Sequence, residues 1–139
     1  MELKVIDSPS NALFEQIKDR IREFNVEHWD VKQKKPLVVL LEDEHETMLA
    51  GASARTFGDW LLIENIWVSA SLRGQHIGTD LLQQLEASAI ARGCKFALLD
   101  TLEFQARPFY EKLGYEVRWV QEGYPKTGCK YFMVKNLES

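Results

Sequence analysis

The sequence predicts a single α/β (α+β) domain in which a mixed sheet carries helices on its faces. Short apolar or alternating runs bounded by turn residues recur along the chain and read as strands. Between them, stretches with apolar residues at helical spacing read as helices. Taken in order these elements run β-α-βββ-α-β-α-ββ, a pattern that calls for a sheet covered by helices. A length of 139 residues suits one domain, and 45% hydrophobic with 11% aromatic residues suits a packed core and excludes a disordered chain.

Leu3–Ile6 is a short strand candidate. Ser8-Pro9-Ser10 reads as a helix start, with a serine cap and proline in the first turn, ahead of Leu13, Ile17, Ile21 and Phe24 at helical spacing. Leu37–Leu41 is a buried strand, and the acidic run Glu42–Glu46 a solvated turn. Met48 to Phe57 is a second strand, rich in small residues. Gly58-Asp59 turns the chain into a third, Trp60 to Val68. After residues 69–74 comes a helix with Ile77, Leu81, Leu85 and Ala89 on one face, ended by Gly93. Lys95–Leu99 is another buried strand. Pro108 opens a short helix that runs through Leu113 and stops at Gly114. Tyr115–Val120 and Tyr131–Val134 complete about seven strands.

Charge and cysteine usage exclude several classes. Lys and Arg number 17 against 21 Asp and Glu, for a net charge of −4, so nucleic acid is not expected as the partner. Cys94 and Cys129 form no disulfide framework and no metal-ligand cluster, which reads as two reduced thiols in a cytoplasmic protein without a metal. The start Met1–Asp7 lacks the basic and apolar regions of a signal peptide, and no apolar run reaches the ~18 residues of a membrane span.

The most informative stretch is residues 66–79, where a strand runs into a glycine-bearing turn that opens an amphipathic helix. Free backbone N–H groups and the positive helix end collect at such a point, so anions bind well there. Gly74 and Gly78 allow close backbone approach, and Arg73 adds a cation. The run is neither a Walker loop nor GxGxxG. From these residues alone, a strand–turn–helix with two convenient glycines and no ligand is an equal reading.

The run Arg73-Gly74-Gln75-His76-Ile77-Gly78-Thr79 resembles motif A of the GNAT acyltransferases, Gln/Arg-x-x-Gly-x-Gly/Ala, with His76 in place of the middle glycine. Downstream, Pro108-Phe109-Tyr110-Glu111-Lys112-Leu113-Gly114-Tyr115 is similar to motif B, whose core is Tyr-Glu-Lys-x-Gly-Phe/Tyr. Residues 104–110 further resemble a subgroup of small bacterial GNAT proteins. The resemblance implies the GNAT fold over residues 1–139: a mixed, mostly antiparallel sheet of about seven strands with helices on both faces.

It also implies a site. Arg73, Gly74, Gln75, His76, Ile77, Gly78 and Thr79 take the position that binds the pyrophosphate of acetyl-CoA, the acyl donor. Ile66, Trp67 and Val68 take that of the strand whose backbone pairs with the pantetheine arm; this strand splays from the next, and the thioester lies in the gap. A residue opening a helix is expected at negative φ, so His76 would be unstrained. By the resemblance, Tyr110 occupies the position of the general acid that protonates the leaving thiolate; on its own residues it reads instead as one of a core stripe with Ala106, Phe109 and Leu113. An amine of pKa ~10.4 must lose a proton before it attacks. Glu64, within an otherwise largely apolar strand, is the candidate base; an ion pair or solvated position is the other reading. Asn65, expected on the opposite strand face, is a candidate to orient a carbonyl or water.

The acceptor wall implied by the fold is Phe24–Val31 with Gln121–Lys130, bringing Glu23, Glu27, His28, Trp29, Asp30, Glu122 and Tyr124 into view. Carboxylates beside aromatics suit a cationic amine. The expected function is transfer of acetyl from acetyl-CoA to a primary amine, on a small cationic molecule or a peptide, in the cytoplasm and without a membrane or nucleic-acid partner. A homodimer is compatible with the family. The alternatives are a non-catalytic acyl-CoA-binding module and, disfavoured by the net charge, a toxin acting on aminoacyl-tRNA.

Overall fold

In the computed structural model, residues 1–30, 33–104 and 106–138 are described. They divide into two compact units, one ending at residue 32 and one from Gln33 onward.

The first unit holds helix α1 (Asn11–Val26). Ser10 caps it, its side chain accepting from the Leu13 amide at 3.3 Å, which supplies one of the helix's orphan donors with a partner. Pro9 therefore lies just outside the helix rather than in its first turn. Leu3–Ile6 is not a strand. The sheet accordingly has six strands, where the sequence suggests about seven.

The second unit is built on that sheet: β1 (Lys35–Glu42), β2 (Met48–Phe57), β3 (Trp60–Val68), β4 (Phe96–Leu102), β5 (Glu116–Glu122) and β6 (Cys129–Asn136), in spatial order β1-β2-β3-β4-β6-β5. Among the described residues, only β3 and β4 pair in parallel. They are joined by α2 (Ile77–Ala91), whereas the two hairpins of the β1–β3 meander need only short turns. In the first turn the Asp43 carboxylate accepts from the amides of His45 and Thr47, at 2.8 and 3.0 Å, so the acidic run serves the turn. A short helix, α3 (Arg107–Lys112), links β4 to β5.

The core forms where α2 packs across β1, β2 and β3. Leu81, Leu82, Leu85 and Ala89 meet Ala50, Ala52 and Ala54 of β2, whose small side chains let the helix approach, with Leu61 and Ile63 of β3 beside them. Each fully buried leucine of such a contact contributes roughly 1.5–3 kcal/mol. Gly93, at φ +93°, ends α2 in the left-handed conformation that glycine adopts without cost.

Candidate active site

Two cavities lie on either side of the end of β3. The first, of about 560 Å³, sits where β3 passes through a 3₁₀ turn (Ala70–Leu72) into α2. Seven of the ten residues predicted to hold the cofactor line it: Val68, Arg73, Gly74, His76, Ile77, Gly78 and Thr79. Gln75 does not; its Nε2 donates to the Ser71 carbonyl at 3.5 Å. Trp67 lines neither this cavity nor the next, and Ile66 lines the next. Arg73 Nε donates to the Val68 carbonyl at 3.4 Å, tying the turn to the strand end.

His76 corrects the expectation of negative φ. It sits at φ +64°, ψ +17°, left-handed, as the N-cap of α2, and its side chain makes no capping bond. The chain must reverse between Gly74, itself at φ +84°, and the helix, and only a left-handed residue turns it that sharply. The physical reason a glycine suits this position is therefore backbone conformation as much as space. No side chain of the N-cap residue bonds the first turn of α2, and Ile77, Gly78 and Thr79 of that turn line the cavity. Gly78 faces α3: a Cβ there would stand 3.4 Å from Phe109 Cζ, in ordinary van der Waals contact. Lys112, one turn after Phe109, brings a second cation that the sequence reading did not single out.

The second cavity, of about 350 Å³, opens between β3 and β4. Their parallel pairing runs only over Trp60↔Phe96, Leu61↔Ala97 and Leu62↔Leu98. Beyond it the strands diverge, so the β4-facing edge of residues 63–68 has no strand partner. Glu64 and Asn65 both line the gap, although consecutive strand residues normally face opposite sides. The cause is a β-bulge. Ser53 pairs with Asn65 and Ala54 with Ile63, which leaves Glu64 as the extra residue and corrects the expected placement of Asn65 on the opposite face. Asn65 Nδ2 donates to Ser53 Oγ at 3.3 Å. Glu64 is also in an ion pair: Arg55 Nε and Nη2 reach its two oxygens at 3.0 and 3.4 Å. The ion-pair reading of Glu64 therefore holds, and the paired carboxylate, half-exposed, lines the cavity.

Tyr110 lines the same cavity from α3 and packs edge-on against Tyr115, with ring centroids 6.0 Å apart. Burial pushes its hydroxyl pKa above the usual tyrosine value, and the Asp100 carboxylate adds to the rise. Asp100 is a cavity residue that the sequence reading missed. Lys130 Nζ stands 3.7 Å from Asp100 Oδ1 and 4.6 Å from the centre of the Tyr124 ring.

Of the expected acceptor wall, Tyr124 and Lys130 line this cavity. Glu122 lies in a separate hollow beside Cys129 and Tyr131. Glu23, Glu27, His28, Trp29 and Asp30 belong to the first unit, while Val31, and Gln105 of the 104–110 stretch, lie outside the described residues. Among the described residues, no three His, Cys, Asp or Glu side chains are grouped to hold a metal ion, and no helix is long and apolar enough to cross a membrane.

The fold thus combines a mixed sheet that has one splayed parallel pair with a glycine turn opening the connecting helix. The chain belongs to the acetyltransferase (GNAT) family, whose model matches residues 5–115. It is 30% identical, over 68% of its length and 70% of the relative's, to the blasticidin-S acetyltransferase of Streptomyces morookaense. It is 28% identical, over 71% and 72%, to the acetyltransferase Atu2258 of Agrobacterium fabrum. An acetyltransferase structure from Bacillus cereus superposes with a TM-score of 0.79 at 29% identity, covering 96% of this chain and 97% of the other. The fold alone is shared with an aminoglycoside 6'-N-acetyltransferase complexed with coenzyme A, at TM-score 0.67 and 20% identity over 100% and 98% of the two chains.

Proposed function

We propose that the chain is a single-domain, cytoplasmic N-acetyltransferase that moves an acetyl group from acetyl-CoA to a primary amine by direct attack, with a small cationic molecule or a peptide as acceptor. The observation that carries this reading is the gap between β3 and β4 beyond Leu62 and Leu98, with Tyr110 on its wall and the Arg73–Thr79 turn at its end.

The residues fit the donor. An anion at the first cavity would meet uncapped amides at the start of α2, with Arg73 and Lys112 as counter-charges. The free edge of Ile66, Trp67 and Val68 can pair with an amide-bearing arm as a strand would. Acetyl-CoA, when bound, supplies the activated thioester.

Tyr110 is the proposed acid. Its raised pKa keeps the hydroxyl protonated through neutral pH, so it can donate to a departing thiolate. Glu64 is the proposed acceptor of the amine's proton, directly or through a water. Its guanidinium partner does not remove that capacity, because an ionised carboxylate has about four lone-pair sites and Arg55 takes two contacts. Asn65, anchored on Ser53, is the proposed group to orient the acyl carbonyl or a water.

The test is thiol release from acetyl-CoA across amines, amino acids, polyamines and aminoglycosides, preceded by calorimetric titration with coenzyme A. Acetylation of one class with saturable kinetics is expected. Binding of coenzyme A with no turnover on any amine would refute the catalytic reading, and no binding would refute the donor site.

A further inference from the structure

The second cavity already holds an ammonium group, and it belongs to the chain. Lys130 Nζ is flanked by the Asp100 carboxylate at 3.7 Å and the Tyr124 ring at 4.6 Å. A carboxylate on one side and an aromatic face on the other is the arrangement that selects a cation which stays charged. Resting on the acceptor reading above, we propose that Lys130 occupies the subsite for a second cationic group of the acceptor, that this group displaces it, and that Asp100 is the residue that then determines specificity. The acceptor class is a diamine, polyamine or other amine with at least two cationic groups.

Three observations support displacement over a permanent ion pair. The contact of 3.7 Å is longer than a hydrogen bond, so swinging Lys130 away breaks a loose charge pair and no directional bond. The Asp100 side chain is 50% exposed while that of Lys130 is 21% exposed, so the carboxylate remains open to a second cation while the lysine is the inserted group. Lysine has a flexible four-carbon stem and can leave without moving the backbone. The subsite shares its cavity with Tyr110 but lies across the gap from the group proposed as base. Glu64 is on the opposite strand of the gap, held by Arg55, which leaves it to the amine that must lose its proton.

Competition between Lys130 and the acceptor gives the test a sign. Coenzyme A binding is measured first, and its absence would count against the donor site alone. Putrescine, with butanediol as the uncharged control, is then titrated into the full chain by calorimetry, with and without coenzyme A. Lys130→Met should bind putrescine roughly threefold to tenfold tighter than the wild type, because the internal competitor is gone. Lys130→Arg should stay near wild type, since it restores the cation. Asp100→Asn, nearly the same shape, should weaken binding by a similar factor, and butanediol should respond to none of these changes. Melting curves check that each variant is folded. Unchanged or weaker putrescine binding by Lys130→Met overturns the proposal. No measurable binding of putrescine to Lys130→Met overturns it as well.

Discussion

His76 is the residue on which sequence and backbone conflict most openly, and replacing it measures the conflict. A left-handed conformation costs an L-residue roughly 1–2 kcal/mol, with His among the more tolerant types, so the lower end applies. Glycine has no such cost but loses about 0.5–1 kcal/mol more backbone entropy on folding. At φ +64°, and with no capping bond from the side chain to lose, His76→Gly should be more stable by about 0.5 kcal/mol. For a chain of this size that raises the midpoint by about 1–2 °C. Alanine has no polar group to ease the conformation, and valine adds a β-branch, so the expected order is Gly, His, Ala, Val. Urea unfolding with a common m-value reads the series. Valine forces the turn toward negative φ and tilts the first amides of α2, so it should also weaken coenzyme A binding. Glycine should leave binding unchanged if the ring is incidental. A valine variant as stable as wild type would refute the reasoning, because it would mean that φ at this residue is ordinary.

Tyr110→Phe fills nearly the same volume and should keep the fold. With a thiolate as leaving group it should lose kcat by about a hundredfold or less, at nearly constant acetyl-CoA affinity; wild-type kcat in the folded variant would leave Tyr110 a packing residue. Glu64→Gln should lose rate chiefly at low pH, where the amine is hardest to deprotonate, and superimposable pH–rate profiles would assign the base elsewhere. Tyr115→Phe tests the alkaline side of stability. The Tyr115 pKa is raised by burial and then by the Glu86 carboxylate that its hydroxyl donates to at 2.8 Å. In the unfolded chain the phenol ionises near pH ~10 while the folded chain keeps the proton, so the stability is full below that pH and falls above it by up to about 1.4 kcal/mol per pH unit. Urea midpoints from pH 8 to 11 should fall less steeply in the variant, and equal slopes would remove Tyr115 as the cause. Tyr110, raised in the same direction, leaves part of the slope in place.

What the sequence makes legible is whatever repeats along one element. β2 and β3 begin and end where the alternation and the Gly58 turn put them, and the Ile77, Leu81, Leu85, Ala89 stripe faces the sheet core. The Arg73–Thr79 turn is legible because strand, glycines and helix follow one another in the chain. What depends on a neighbour was not legible. Leu3–Ile6 has strand composition, but composition does not supply a pairing strand. The bulge at Glu64 is a mismatch of register with β2 and leaves no mark on the alternation of β3 alone. Asp100 and Lys130 meet because β6 pairs with β4, so each looks like an ordinary surface charge until that pairing is known. A signal for the site did exist in Gly74, but its positive φ had to be extended to His76 before the sharpness of the turn became apparent.

The two cavities are not independent, because neighbouring residues of one short helix serve both. Phe109 lines the first and Tyr110 the second, so any rotation of α3 that moved one ring would move the other. α2 fixes that rotation at two points. At its start, Gly78 lies against the Phe109 ring. Further along, the nearly buried Glu86 accepts from Tyr115 Oη and Lys135 Nζ, each at 2.8 Å. The Tyr115 amide in turn donates to the Tyr110 carbonyl at 3.1 Å. The helix whose first turn lines the first cavity thus also holds, through Glu86 and Tyr115, the backbone of the proposed acid in the second. A buried carboxylate with two charge-assisted partners is costly to disturb, which is what a fixed distance between donor site and acid requires.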